Sequence, residues 1–333
     1  MLMDPLVFTP YARPQIWGER RLERHLGKTL PPGAFGEAWE LSAHPHHVSR
    51  VAEGPLAGTP LDELWRNRGR ELVGSHGALP AVFPLLIKYL DCHQQLSVQV
   101  HPNDALAASL RPGELGKTEA WVVLSAEPEA RIYAGLKPGT TADDMRRHLA
   151  AGTVDQCLHS LVPKAGDCLF MPAGTVHGVG GGVLMAEVQQ SSDATFRLFD
   201  WNRVGPDGKP RELHIEESLA SIDWHKGPND PVEPKPLGGL PTSVRGEQLV
   251  NCPYFSLIRY TTAAPWPMPY AGEMTIWMIL AGTPRLTGRS GYVRQFRQGE
   301  TVLIPASATT LTWQPVAGES FTLLAVRVAG HGR

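Results

Sequence analysis

The run Leu96-Ser97-Val98-Gln99-Val100-His101-Pro102 carries two polar side chains, Gln99 and His101, in a stretch that otherwise reads as a short strand stopped by proline. Residues two apart on a strand face the same way, so this amide and imidazole lie side by side. On so apolar a strand they need partners. Glu119 stands downstream in Lys117-Thr118-Glu119-Ala120-Trp121, at the head of another apolar run. His177 closes Gly166-Asp167-Cys168-Leu169-Phe170-Met171-Pro172-Ala173-Gly174-Thr175-Val176-His177. Gln99, His101, Glu119 and His177 make a mixed nitrogen and oxygen set suited to zinc or another first-row divalent metal. The competing reading is a pair of unconnected core or surface histidines. Lys117, two residues before Glu119, is expected to point into the same pocket.

The pattern Gly-x5-Pro-x-Gly-x2-His over 166–177 resembles the second motif of the cupin family. The block from Gln99 to Glu119 resembles the first, with Gln in place of one His. Both in order favour the metal reading over two isolated histidines.

These residues need a scaffold, and the composition points to mainly β structure. Short apolar runs alternate with turns drawn from 34 glycines and 30 prolines. At 333 residues the chain is long enough for two domains. A net charge of −2 gives no electrostatic case for nucleic acid or an anionic membrane. No apolar run has the length of a membrane span, and Met1-Leu2-Met3-Asp4-Pro5 does not open a signal peptide. Cys92, Cys157, Cys168 and Cys252 are too scattered for a disulfide framework or a thiolate zinc site and read as reduced thiols. A cytoplasmic protein is expected.

Strands are expected over Gly36–Ser42, Phe83–Leu90, Trp121–Leu124, Ala130–Tyr133, Cys168–Met171 and Gly182–Gln189, and around Phe196–Leu198. Pro14–Gly18 reads as a turn carrying Trp17. Thr59-Pro60-Leu61-Asp62 reads as a capped helix start with Leu61, Leu64, Trp65 and Leu72 on one stripe. Thr140–Leu149 reads as a second helix, and 213–221 as a third. His46 and His47 read as a solvated turn. The stretch from Gly227 to Gly239 is a linker by composition. This divides the chain into a metal-binding domain at 1–226, a linker at 227–240 and a second domain at 241–333. Gly299 to Thr310 repeats the spacing of Gly166 to His177, with Thr310 where the histidine stands. The second domain therefore reads as a barrel of the same kind without a metal site.

Taken together, Gly36–Pro45, Pro84–Pro102, Gly116–Trp121 and Gly166–Arg203 resemble the type I mannose-6-phosphate isomerases in their shorter bacterial form. The resemblance implies two jelly-roll cupin barrels with a few short helices, one zinc ion per chain, and interconversion of mannose 6-phosphate and fructose 6-phosphate. It matches the ligands to Gln99, His101, Glu119 and His177, and the catalytic arginine to Arg197. It places Glu187 and His44 at the pocket as alternative proton carriers, and Lys88, Ser97 and Arg203 near the phosphate. Trp17 and Trp39 would be pocket walls or plain core. The chemistry needs a base, charge stabilisation of an enediolate and an anchor for the phosphate. Arg197 fits the second need, and Lys117 is a further catalytic candidate in the same pocket. A sugar-binding cupin without catalysis, a cupin dioxygenase and an isomerase of unphosphorylated sugars are the rival readings.

Overall fold

A computed structural model describes residues 3–75, 79–204, 208–289 and 291–329. Two barrels account for it, each a six-stranded antiparallel sheet facing a smaller one. In the first, the large sheet runs in the order Tyr11–Glu19, Phe35–Leu41, Leu85–Cys92, Val183–Gln190, Glu119–Ala126, Cys168–Met171. Its facing sheet runs Phe196–Phe199, Val98–Val100, His177–Val179, Ile132–Leu136, Leu158–Leu161. The second barrel repeats the large sheet as Lys235–Pro236, Val244–Asn251, Phe255–Thr262, Phe321–Val328, Thr275–Ala281, Thr301–Ile304. The strands that follow Gly166 and Gly299 hold the same last place in the two sheets. Both glycines adopt positive φ, 92° and 88°, a turn that disfavours any side chain. The internal repeat is thus one of strand order as well as spacing.

The two large sheets pack back to back. Leu85, Ile87, Tyr89, Ala186 and Val188 share one core with Phe255, Leu257, Ile276, Met278, Leu324 and Val326. This explains why Leu85–Cys92 and Val183–Gln190 are buried along their whole length. Alternate residues of the same strands, Lys88 and Glu187, point the other way, into the first barrel, where Lys88 pairs with Glu187 in register. Among the described residues the second barrel has no such charged lining. Tyr260, Trp266, Trp277, Phe296 and Trp313 fill it. Thr310 is exposed, in the left-handed region at φ 62°, and serves as a turn residue.

Local expectations fare unevenly. The helix Leu61–Val73 forms, but Pro60 is its N-cap and no side chain caps it, so the Thr59 capping box is absent. The helix Ala142–Ala151 carries the capping box instead, between Thr141 and Asp144. Pro14–Gly18 is part of the strand Tyr11–Glu19, whose register shifts at Pro14. His47 stacks on Tyr11 at 4.1 Å, while His46 is exposed and meets Asp193. The stretch 227–239 is packed chain: Asn229 and Val232 donate to Ala134 and Cys168 of the first barrel, and Lys235–Pro236 is an edge strand of the second. Leu6 pairs with Leu303 through two backbone hydrogen bonds, so the first strands of the chain also touch the second barrel.

Candidate active site

The first barrel's open interior holds a cleft of about 240 Å³ between its two sheets. Gln99 and His177 are direct partners on neighbouring strands of the smaller sheet. Glu119 begins a strand of the large sheet, and His101 follows the strand that carries Gln99. His101 Nε2 lies 3.4 Å from Glu119 Oε2, and His177 Nε2 lies 3.3 Å from Glu119 Oε1. The Gln99 amide lies 3.3 Å from His177 Nε2. One donor atom from each of His101, Glu119 and His177 lies within 4.8 Å of the others, close enough for the three to share a metal ion.

The donors are also in the right state. The Nδ1 of His101 donates to the Ala194 carbonyl at 3.0 Å and that of His177 to the Thr175 carbonyl at 2.8 Å. Each Nε2 is thereby left as a lone pair aimed at Glu119. Burial pushes the His101 imidazole down to about 4, helped by the Lys117 ammonium, and burial likewise lowers His177. Both are neutral at neutral pH. Glu119 is fully buried, and neither oxygen has a satisfactory hydrogen bond. Burial opposes its charge, but the Lys117 ammonium beside it holds the carboxyl well below its usual range. Lys117 Nζ sits 2.7 Å from Glu119 and 3.0 Å from His101 Nε2. Turning the Gln99 amide over, an orientation that heavy-atom positions do not fix, would present its oxygen to the same point.

Beside this set lies a second charged group. Lys88 Nζ is 3.1 Å from Glu187 and 3.5 Å from Glu37. Each carboxylate is also fixed by an indole: Trp121 Nε1 donates to Glu187 at 3.0 Å and Trp39 Nε1 to Glu37 at 2.7 Å. Burial disfavours the charge on Lys88, yet the carboxylates win and its pKa is raised. Gln15 donates to Glu37 at 2.5 Å. Arg13 and Asp193 pair across the rim at 3.1 Å. Burial opposes the Asp193 charge too, but Lys88 and Arg13 outweigh it and hold the carboxyl at about 2.

Arg197 is the register partner of Gln99 and so shares its face. It lines the cleft with Trp17, Ser97, Lys88, Lys117 and Glu187. Trp17 lies over Gly36, where a Cβ would come within 2.4 Å of its ring. Two of the sequence-predicted residues stand elsewhere. His44 is buried against Glu114, 3.1 Å away, and is not in the cleft wall, because the short hairpin Ala43–Val48 turns it toward the 111–116 loop. Arg203 bonds Asp200 and the Gln95 carbonyl and is not among the residues lining the cleft. Arg211, which the sequence did not single out, lines the cleft in its stead. Glu37, Arg13, Gln15 and Asp193 were also missed as a group. The alternation of Glu37 with Trp39 was a usable signal for Glu37; Arg13 and Asp193 are 180 positions apart and gave none.

Comparisons with known proteins agree with this geometry. Residues 7–121 match the family described as phosphomannose isomerase type I, catalytic domain. The chain is 38% identical to a mannose-6-phosphate isomerase of Streptococcus mutans, over 94% of this chain and 95% of that one. It is 35% identical to a mannose-6-phosphate isomerase of Bacillus subtilis, over 92% and 94%. The crystal structure of the mannose 6-phosphate isomerase from Bacillus subtilis superposes with a TM-score of 0.89 at 29% identity, covering 98% of this chain and all of that one. With a cupin-type donor set in the first barrel and matches along almost its whole length, the chain belongs to the type I phosphomannose isomerases.

Proposed function

We propose that this aldose–ketose isomerase interconverts mannose 6-phosphate and fructose 6-phosphate with one zinc ion per chain held by Gln99, His101, Glu119 and His177. The convergence of buried His101, Glu119 and His177, beside a charged acid–base group, carries the reading. When bound, the metal supplies a Lewis acid that polarises the sugar oxygens. The rest is the work of the chain's own side chains. Glu187 is the base: Trp121 orients one oxygen, and the other faces Lys88. It takes the proton from C2 of the open-chain aldose and returns it to C1, while the hydroxyl proton moves from O2 to O1. Lys88, itself held by Glu37, keeps Glu187 in place. Arg197 and Lys117 carry fixed positive charge toward the enediolate. His44, bonded to Glu114, braces the pocket and is not the proton carrier.

The same reading assigns catalysis to residues 1–226, a connecting segment to 227–240 and a scaffold barrel to 241–333. Among the described residues no helix is long and apolar enough to cross a membrane, and we place the enzyme in the cytoplasm. A coupled assay on the metal-loaded protein tests the proposal. Turnover of mannose 6-phosphate far above that of mannose, lost on chelation and restored by zinc, is expected. Turnover of unphosphorylated sugars alone, or activity indifferent to exhaustive chelation, overturns it.

A further inference from the structure

Asp104 stands between the candidate metal ligands and the second barrel. It is the first residue of the helix Asp104–Leu110, which follows closely on His101. Its Oδ1 accepts from the Gly116 backbone at 2.9 Å and from the Gln190 side chain at 3.1 Å, and its Oδ2 accepts from the Tyr254 hydroxyl at 2.6 Å. Gln190 ends the strand that carries Glu187, and its amide oxygen accepts from the Thr118 backbone at 2.9 Å. The residues on both sides of Lys117 are thus tied, directly or through Gln190, to one carboxylate. Gly116 must lack a side chain there, because a Cβ would come within 2.5 Å of the Asp104 nitrogen. Tyr254 belongs to the other barrel, in the tight turn between Val244–Asn251 and Phe255–Thr262. The Cys252 amide on the Phe255 carbonyl and the Ala329 amide on the Tyr254 carbonyl fix that turn. Burial and the Asp104 carboxylate push the Tyr254 phenol up to about 12, so it is a donor near neutral pH.

We infer that Asp104 is a positioning residue, held from the second barrel by Tyr254, that sets where the Lys117 ammonium stands beside Glu119 and His101. The inference rests on the role proposed for Lys117 above. Residues 111–118 lie outside helix and strand, so no ladder fixes the backbone from which Lys117 reaches. Such a segment is ordered by the partners its amides find. Here the partner of Gly116 is a carboxylate, which makes the bond stronger than one between neutral groups. A displacement of about 1 Å at a reacting centre can cost about 100-fold in rate. The second barrel, whose interior is filled with aromatic rings, thereby acts on the chemistry from outside the cleft. Asparagine at 104 preserves the arrangement. Its oxygen accepts from Gly116 and Gln190, and its amide nitrogen donates to the Tyr254 oxygen.

The test uses the full zinc-loaded chain, with steady-state kinetics on mannose 6-phosphate and amide hydrogen exchange read peptide by peptide. Asp104→Ala is expected to lower kcat about 10-fold with KM within about twofold, and Asp104→Asn to bring kcat back to within about twofold of the parent. Tyr254→Phe removes a single oxygen from the other barrel. It is expected to speed exchange over 111–121 and to lower kcat about threefold, and it keeps the test open if Asp104→Ala does not fold. The deciding measurement is a double-mutant cycle. In a Lys117→Met background, Asp104→Ala should cost less than about a further twofold in kcat, since no ammonium is left to place. A full second loss in that background means that the two residues act independently and overturns the inference. Exchange over 111–121 unchanged in Tyr254→Phe, or an Asp104→Ala loss that asparagine does not recover, overturns it as well. The readings fail separately. An unchanged kcat in Lys117→Met sinks the role of Lys117 and this inference with it, whereas a loss there with a full second loss on Asp104→Ala sinks this inference alone.

Discussion

Glu119 is a buried carboxylate hemmed by an ammonium and two imidazole edges. His101→Ala or His177→Ala should therefore lose most bound metal by elemental analysis, while Thr310→Ala, in the other barrel, should lose none. Arg197→Ala should keep its metal and turn over roughly 100- to 1,000-fold more slowly, with little change in KM, because its contact forms chiefly in the transition state. Steady-state kinetics on the metal-loaded variant checks this, and a rise in KM alone would make Arg197 a binding residue. Asp193 gives a pH signature. Its carboxyl falls from 3.8 to about 2 on folding, so its contribution to stability is complete above pH 4 and is lost as the pH falls through 2. Asp193→Asn should cost roughly 2 kcal/mol near neutral pH, and denaturation curves of the two proteins should converge in acid. The four candidate ligands were legible in the sequence because two of them share a strand face and His177 ends a fixed turn pattern. The Arg13–Asp193 and Arg211–Asp200 pairs were not, since ion pairing between distant segments leaves no periodic trace.

At the scale of elements, the strand pair Tyr11–Glu19 and Phe35–Leu41 forms one wall of the cleft, and its fit depends on Gly36. Gly36→Ala puts a methyl into the Trp17 ring and 2.7 Å from Gln15 Cβ. Such overpacking costs about 1–3 kcal/mol, so the melting temperature should fall and KM should rise as Trp17 and Gln15 shift. An unchanged KM would place the wall outside the substrate's reach. The strands buried on both faces were readable as apolar runs. Pro14–Gly18 was misread because proline usually marks a turn, whereas here the strand absorbs it with a shift of register. The linker reading failed to anticipate packing for a related reason. Proline-rich composition reports a lack of internal hydrogen bonds, and says nothing of the carbonyls of Ala134 and Cys168 that the segment finds nearby.

For the whole molecule, the shared core between the two large sheets makes the barrels one cooperative unit. Urea unfolding should show a single transition, and a fragment ending at residue 226 should be insoluble, since it exposes the face bearing Leu85, Ile87 and Tyr89. Two separate transitions would mean that this interface contributes little. The repeat was visible in the sequence because turn spacing survives where function does not; the back-to-back packing was not visible, because an apolar strand face does not name its partner. The placement of the aromatic residues has one more consequence. Trp39 and Trp121 each donate to a carboxylate of the cleft, and Trp121 lies edge-on to His177 at 5.3 Å. Trp266, Trp277 and Trp313 are sealed in the other barrel. The protein therefore carries its own optical gauge: indole emission on one side registers what enters the site, against a steady signal from indoles that occupancy never reaches.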